Sequence, residues 1–288
     1  MIRLFDSHAD TPYEIWMRKE RLYENSCHID SKKAREYAEY KQVFAFCSLM
    51  GSKWEITRDE FLECYDYFID SLQDQNFVTP YLSIEGPEVI CCDPEKIAEL
   101  SRENFVMSTL TWNYDNDLAG FHKSEKGLTD RGVAYVRSAR ENGVLIDVSH
   151  LSERAFWDLV KITQRPILAS HSNCRRIWDH TRNLTDDQLR AIADTGGLVG
   201  LNLYVPFLGK VADFETLLRH LEHMLDLCGT NKVCLGGDLD GCDVLPDGFR
   251  DVSSYRDFYS YLSARGYDDS LLDGIFYNNL NTLIEGRN

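Results

Sequence analysis

The sequence predicts an α/β protein of the TIM type, a (β/α)8 barrel, from three observations. Short apolar runs alternate with longer amphipathic stretches along the whole chain, and eight such runs can be counted. No glycine-rich phosphate turn follows the first run. The chain has 288 residues, 43% of them hydrophobic, whereas a barrel typically takes about 250 residues. We therefore predict one barrel domain over residues 1–288, with closing helices at its C-terminal end.

The eight strand candidates are brief, rich in Val, Ile, Leu and Phe, and bounded by polar or turn residues, as buried parallel strands are. The alternative fold is an open, doubly wound sheet, which would carry a glycine-rich turn where Asp6-Ser7-His8-Ala9-Asp10 stands. Right-handed crossovers between eight strands favour the closed barrel. The candidates are Ile2–Asp6, Val43–Leu49, Val78–Ile84, Phe105–Thr111, Val144–Val148, Pro166–Ser170, Leu198–Leu203 and Val233–Gly237.

Helical patterns lie between these strands, and several have recognisable ends. Ser152 and Thr185 each precede an acidic first turn, which is typical of a helix start. Asn142-Gly143 and Gly196-Gly197 lead into the next strand, as helix stops do. The predicted helices are Ile56–Gln73, Pro94–Glu103, Thr129–Asn142, Glu153–Ile162, Asp186–Thr195 and Phe214–Leu227, followed by closing helices Ser253–Arg265 and Ser270–Ile284.

Composition excludes some classes of partner. The net charge is −16 and the basic residues are scattered, so nucleic acid and anionic membranes are disfavoured. No run of about 18 apolar residues could span a membrane, and the first residues do not resemble a signal peptide. Nine cysteines without a CxxC pair indicate reduced thiols. We expect a cytoplasmic protein, for which a two-fold homodimer is the default oligomer.

Ionisable residues stand at the ends of five of the eight predicted strands. In a βα barrel those ends meet at one mouth, where catalytic residues lie. Histidine and carboxylate side chains converging there form the ligand set that zinc-like cations prefer, although the same set accepts manganese or cobalt. The residues are His8, Asp10, Glu85, His150, His171, Asp238 and Asp240.

The number of candidate ligands predicts two divalent ions, expected to be Zn²⁺. A catalytic zinc takes about three protein ligands, and this set exceeds that number. His8 and Asp10 are two residues apart, so both can face one cation. Glu85 is the acidic ligand without an ionisable neighbour in sequence, and we predict that it bridges the two ions. The other histidines, His28, His122, His180, His220 and His223, are interpreted as solvated or local.

The chain resembles the renal (membrane) dipeptidase family, within the wider amidohydrolase-type metallo-barrels. The resemblance extends in order over nearly the whole chain, and the Gly-Val-Leu-Ile-Asp-Val-Ser-His stretch ending at His150 is its most specific part. The other matching segments are Asp6–Asp10, Glu85-Gly86, Leu110–Asn113, Pro166–Ser172, Arg182-Asn183 and Gly236–Gly241.

The resemblance implies a role for each matching residue. His8 and Asp10 are implied to hold one metal, His150 and His171 the other, with Glu85 between them. Asp238 is implied to carry the proton of the bridging water, although Asp240 is close enough to exchange roles with it. Arg182 is implied to pair with the terminal carboxylate of the substrate, a task that suits a planar guanidinium.

The chain departs from the family at one predicted site position. Animal members carry a histidine that assists the oxyanion where this chain has Trp112. Trp112 or Asn113 could donate a hydrogen bond instead, and the departure bears on rate and substrate preference. We also expect neither the leader nor the anchor of membrane-bound members, so the resemblance is to soluble bacterial relatives.

These observations predict a metal-dependent dipeptidase, with dipeptides that carry a C-terminal D-residue among its expected substrates. A hydroxide bridging the metals would attack the amide carbonyl, and Asp238 would return the proton to the leaving amine. One alternative is an amidohydrolase acting on another small amide, an N-acyl compound or a lactone, which would not require Arg182. A scaffold protein with a dead site is the other, and the full ligand set argues against it.

Overall fold

The computed structural model describes residues 1–49, 51 and 55–287. Eight parallel strands form one sheet in the order β6-β5-β4-β3-β2-β1-β8-β7, and a bridge between Ala169 and Val199 brings its two edges together. This arrangement confirms the predicted (β/α)8 fold. The strands are β1 Arg3–Ala9, β2 Glu39–Cys47, β3 Val78–Glu85, β4 Phe105–Thr109, β5 Leu145–Asp147, β6 Ile167–Leu168, β7 Val199–Leu201 and β8 Val233–Leu235.

Every helix predicted from the sequence is present, and two further helices occur near the N-terminus. The α-helices are α1 Thr11–Arg18, α2 Ser31–Ala34, α3 Arg58–Leu72, α4 Ile97–Arg102, α5 Asp130–Glu141, α6 Glu153–Ile162, α7 Asp186–Asp194, α8 Val205–Leu208, α9 Phe214–Cys228, α10 Tyr255–Ser263, α11 Asp269–Asp273 and α12 Asn279–Glu285. A π-helical turn, Gly274–Asn278, joins the last two. Ser152 and Thr185 cap α6 and α7 as predicted.

Two predicted boundaries at the N-terminal end are wrong. Strand β1 continues through His8 to Ala9, because the Ser7 hydroxyl donates to the carbonyls of Ser170 and Leu235 and so is satisfied inside the barrel. Strand β2 begins at Glu39, four residues before the predicted start. The sequence analysis also missed α1, which Pro12 in its first turn could have indicated.

The buried apolar residues form two cores. The larger core lies between the sheet and the surrounding helices. The smaller one fills the barrel around Phe5, Val43 and Leu168, and Tyr277 and Ile284 from the closing helices pack against it. Because this core lies at the N-terminal ends of the strands, the C-terminal mouth is the open end.

The remaining features concern cysteines and membrane segments. Each of the nine cysteines is a free thiol in the structure. Within the described part of the chain, no helix has both the length and the apolar character needed to cross a membrane.

Candidate active site

The five predicted metal ligands come together at the mouth of the barrel. We call these residues, His8, Asp10, Glu85, His150 and His171, the ligand cluster. Glu85 Oε1 lies 2.9 Å from His150 Nε2, 3.4 Å from His171 Nε2 and 3.7 Å from His8 Nε2. Asp10 Oδ2 lies 3.7 Å from His8 Nε2. Glu85 therefore belongs to two adjoining groups, one with His8 and Asp10 and the other with His150 and His171. Both groups have the composition predicted for the two metal positions.

Hydrogen bonds on the far side of two imidazoles fix their orientation. His150 Nδ1 lies 2.9 Å from Asn113 Oδ1, which can only accept, so Nδ1 carries the proton. The Ser170 hydroxyl donates to Asp147 and therefore accepts from His171 Nδ1, at 2.7 Å. The Nε2 atom of each ring is therefore unprotonated, and its lone pair is available to a cation. The two Nε2 atoms lie 3.1 Å apart, an arrangement that a shared cation region explains better than a hydrogen bond.

The buried groups at the mouth fit a divalent cation. Among the residues that the structure describes, neither His8 Nε2 nor Asp10 Oδ1 has a hydrogen-bond partner. Buried polar atoms without partners are costly, and a cation between these two atoms would satisfy both. Asp147 also lies near His8 and His171. Its carboxylate already accepts hydrogen bonds from Thr109, Ser149 and Ser170, so it is satisfied without a metal.

The pKa values of the histidines in this cluster reflect their burial and the negative charge of the neighbouring carboxylates. Burial lowers the pKa of His8, but Glu85, Asp10 and Asp238 outweigh it and raise the pKa to about 10. Burial lowers the pKa of His150 well below its usual value, which keeps that imidazole neutral. A proton on His8 therefore compensates carboxylates that a divalent cation would neutralise more fully.

Two fully buried aspartates hold the strand ends that present the ligands. Asp6 accepts hydrogen bonds from the backbone of His8 at 2.9 Å, from the backbone of Gly237 at 2.9 Å and from the Tyr255 hydroxyl at 2.6 Å. Asp147 does the same for the backbone of Ser149 and Ser170, each of which precedes a histidine predicted to bind metal. We call Asp6 and Asp147 the anchor carboxylates.

Removing an anchor carboxylate is expected to destabilise the barrel. Asp6→Ala leaves buried donors of His8, Gly237 and Tyr255 without partners, which should lower the free energy of unfolding by on the order of 3 kcal/mol. Urea unfolding of the chelator-treated protein measures this. Asp66→Ala, an exposed position on α3, is the control and should stay within about 0.5 kcal/mol of wild type. Equal unfolding midpoints for Asp6→Ala and wild type would contradict the anchoring role.

The two acids after β8 have different surroundings. Asp238 Oδ1 lies 3.9 Å from His8 Nε2, and Asp238 Oδ2 accepts from Asn202 Nδ2 at 3.2 Å. Burial raises the pKa of Asp238 to about 7, with Asp10 and Glu85 adding to the effect. Asp240 instead accepts from the Thr11 hydroxyl at 2.6 Å and from the backbone of His28 at 2.5 Å. The carboxylate that faces the ligand cluster with fewer competing bonds is therefore that of Asp238.

Backbone strain coincides with these positions. His150, Asp238 and Asp240 adopt φ of 69°, 58° and 68°, a left-handed region that non-glycine residues seldom occupy. Such conformations persist where the surrounding structure enforces them, and they cluster at functional sites.

A cavity of about 910 Å³ opens above the ligand cluster, and all four residues predicted to bind substrate line it. Arg182 is 5% exposed, and its guanidinium lies 5.3 Å from the centre of the Phe207 ring. Its Nε and Nη2 have no hydrogen-bond partner within residues 1–49, 51 and 55–287. Trp112 lies beside His150, with ring centres 6.4 Å apart. Asn113 and Asp240 also border the cavity, although each bonds a neighbouring side chain or backbone group.

The structure corrects the interpretation of several histidines as solvated or local. His28 Nδ1 accepts from the backbone of Asp240 at 2.9 Å, a contact across 212 residues of sequence. His122 and His180 line the cavity rather than standing apart from it, with ring centres 6.3 Å from each other. His122 Nδ1 lies 2.7 Å from the Thr181 hydroxyl, which links the loops after β4 and β6. No sequence spacing connects these loops, so only the fold could reveal the contact. His220 and His223 have structural contacts with distant parts of the chain: buried His220 accepts from the backbone of Cys174 and bonds the Leu208 carbonyl, and His223 bonds Asp186.

A family comparison decides what this arrangement belongs to. The model of the membrane dipeptidase family, peptidase family M19, matches residues 61–285, which is most of the chain. The chain belongs to the membrane dipeptidase family. The match includes Glu85, His150, His171, Arg182 and Asp238, and it confirms the family predicted from the motifs.

Two curated proteins are similar to the chain over part of its length. An uncharacterized protein of the pqqA 5′ region from Klebsiella pneumoniae is 38% identical over 159 residues, covering 53% of this chain and 58% of the relative. An uncharacterized dipeptidase from Schizosaccharomyces pombe is 30% identical over 200 residues, covering 67% of this chain and 49% of the relative. The chain thus spans about half the length of these relatives.

Among solved structures, the fold matches a metallopeptidase from Rhodobacter sphaeroides, crystallised with a phosphinate mimic of the dipeptide L-Ala-D-Ala. The TM-score is 0.89 and the sequence identity is 23%, with 99% of each chain covered. At this identity the likeness establishes the fold.

Proposed function

We propose that this protein is a metal-dependent dipeptidase that hydrolyses the amide bond of dipeptides, those with a C-terminal D-residue included. The observation that carries the proposal is the position of Arg182. Its guanidinium is buried and lines the cavity over the ligand cluster, and its Nε and Nη2 have no partner in the described part of the chain. A planar cation so placed suits the free carboxylate that every dipeptide carries one residue beyond the scissile bond.

The ligand cluster would hold two divalent cations, for which we propose Zn²⁺. His8 and Asp10 would bind one, His150 and His171 the other, and Glu85 both. Two cations there would supply a water of lowered pKa and polarise the carbonyl. The nitrogen and carboxylate ligands suit zinc among the divalent ions.

The chain's own residues would handle positioning and proton transfer. Arg182 would orient the substrate by its carboxylate, so that the scissile carbonyl lies over the cluster. Asp238 would accept a proton from the water and return it to the leaving amine. Asn113 would keep His150 in the tautomer that leaves Nε2 free. Trp112 would cover the flank of His150 where animal relatives have a histidine.

A related protein supports the substrate class. The metallopeptidase of the same fold from Rhodobacter sphaeroides was crystallised with a phosphinate mimic of L-Ala-D-Ala. A phosphinate imitates the tetrahedral geometry of an amide under attack, which is consistent with dipeptide hydrolysis in the shared barrel. We further propose that residues 1–288 act as a single barrel domain.

The substrate's carboxylate provides the test. We expect Arg182→Met to lower kcat/KM for free dipeptides at least tenfold and to change the rate for the corresponding C-terminal amides little. Loss of a buried, charge-assisted contact is worth on the order of 2–5 kcal/mol. Metal-loaded protein should be assayed on matched pairs such as Ala-Ala and Ala-Ala amide.

Arg190→Met, which removes the same charge from the outer helix α7, is the matched control and should behave as wild type. If wild type hydrolyses free and amidated dipeptides equally well, and Arg182→Met changes neither, a neutral-substrate amidohydrolase replaces the dipeptidase.

A further inference from the structure

The walls of the cavity carry opposite charges on opposite sides. In the eight-strand ring β5 lies across from β1, so the loops after β4 and β6 face those after β1 and β8. The β1 and β8 side contributes carboxylates, and the opposite side contributes cations and imidazoles. The acidic side comprises Asp10, Glu14, Asp238 and Asp240, and what we call the basic rim comprises His122, Lys123, His180 and Arg182.

This polarity orients a dipeptide, a consequence that rests on the proposed function. A dipeptide is a zwitterion, and its carboxylate would be attracted to the basic rim while its ammonium group faces the acidic side. Arg182 accounts for the carboxylate of the main chain. The basic rim holds a second cation, Lys123, for which the main chain of a dipeptide has no counterpart.

Lys123 lies in a turn whose backbone is connected to the region of the ligand cluster by hydrogen bonds and a β-bridge. The Asp115 carboxylate accepts from the backbone of Phe121 at 3.0 Å and from the Ser124 hydroxyl at 2.8 Å. Phe121 forms a β-bridge with Leu151, the residue after the ligand His150. The base of the Lys123 side chain is therefore fixed relative to the ligand cluster, although the residue itself is exposed.

The charge of Lys123 is available to a ligand. In residues 1–49, 51 and 55–287, no carboxylate forms an ion pair with Lys123, whereas Glu14 on the acidic side is paired with Arg18 at 2.7 Å. Lys123 also lines the cavity, next to His122 in sequence.

We propose that Lys123 is a specificity residue that favours dipeptides whose C-terminal residue carries a second carboxylate, namely aspartate or glutamate. Arg182 would bind the α-carboxylate and Lys123 the side-chain carboxylate from the adjoining loop. The acidic side gives no equivalent preference for a basic N-terminal side chain through Glu14, because Arg18 already neutralises that carboxylate.

Isosteric substrate pairs test the proposal. Metal-loaded protein is assayed on Ala-Glu against Ala-Gln, and on Ala-Asp against Ala-Asn, with both configurations at the C-terminal residue. We expect wild type to favour the acidic member of each pair about tenfold in kcat/KM, the effect of one charge-assisted hydrogen bond. In Lys123→Met the ratio should fall towards one, and added salt should reduce it in wild type.

Lys96→Met removes the same charge at a position outside the cavity and should keep the wild-type ratio. Thermal unfolding of both variants separates a folding defect from a change in preference. The inference would be overturned by equal wild-type rates for Ala-Glu and Ala-Gln, or by a ratio of these rates that Lys123→Met leaves unchanged. In either case, hydrolysis of Ala-Gln would still uphold the dipeptidase. Metal-loaded protein that hydrolyses none of these dipeptides would overturn both.

Discussion

Glu85→Gln is expected to abolish hydrolysis and to remove most of the bound metal from both positions. Glu85 Oε1 lies 2.9, 3.4 and 3.7 Å from the Nε2 atoms of His150, His171 and His8. Glu85 is the residue that the His8 and Asp10 group shares with the His150 and His171 group. A neutral amide at this point would leave both cations with too little negative charge and a weaker bridging ligand.

Elemental analysis of dialysed protein checks this prediction without relying on activity. Wild type should hold about two equivalents of divalent metal, the number that a two-metal hydrolase requires. Glu88→Gln is the matched control. Glu88 is a half-buried carboxylate three residues away that bonds Ser48 and Asn116 instead of the cluster, so this variant should keep its metal. Full activity of metal-free wild type would refute the proposed chemistry altogether.

Asp238→Asn is expected to keep the metals and to lower kcat by a factor on the order of 10²–10⁴, the usual contribution of a general acid–base group. The carboxylate lies near His8 and is held from behind by Asn202, so an amide can occupy the same space without accepting a proton. Asp240→Asn should retain most of the turnover. It should lose some stability, because Asp240 accepts from both Thr11 and His28.

Metal content and kcat, measured on the same preparations of both variants, separate the two roles. If Asp240→Asn were inactive while Asp238→Asn turned over normally, the proton carrier would be Asp240. A loss of metal from Asp238→Asn would instead make Asp238 a ligand.

The sequence predicted the barrel and its ligand cluster because both depend on local pattern. Buried parallel strands are apolar and short, and their C-terminal ends must meet, so a histidine or carboxylate after each strand falls at one mouth whatever the details of the helices. The same reasoning placed a strand end wrongly where the strand itself contains polar residues. Ser7 and Asp6 read as a strand end, yet β1 continues past them, because partners on other strands satisfy them.

Contacts between distant loops could not be predicted. His122 enters the cavity wall because Phe121 bridges to Leu151 and His122 bonds Thr181, contacts that span 30 and 59 residues. The anchoring role of Asp6 could have been found. An aspartate two residues before a strand-end residue can accept that residue's backbone N–H, and both Asp6-Ser7-His8 and Asp147-Val148-Ser149 show this spacing.

The anchor carboxylates also bear on how the protein would respond to different ions. Because Asp6 and Asp147 fix the backbone beside the ligands through protein hydrogen bonds alone, the ligand positions exist before any ion arrives. The backbone beside the ligand histidines should therefore change little from one ion to another. A series of manganese, cobalt and zinc forms would compare the Lewis acidity and preferred coordination of the ions on one shared backbone frame. Cobalt would serve as a faithful spectroscopic reporter on the native geometry.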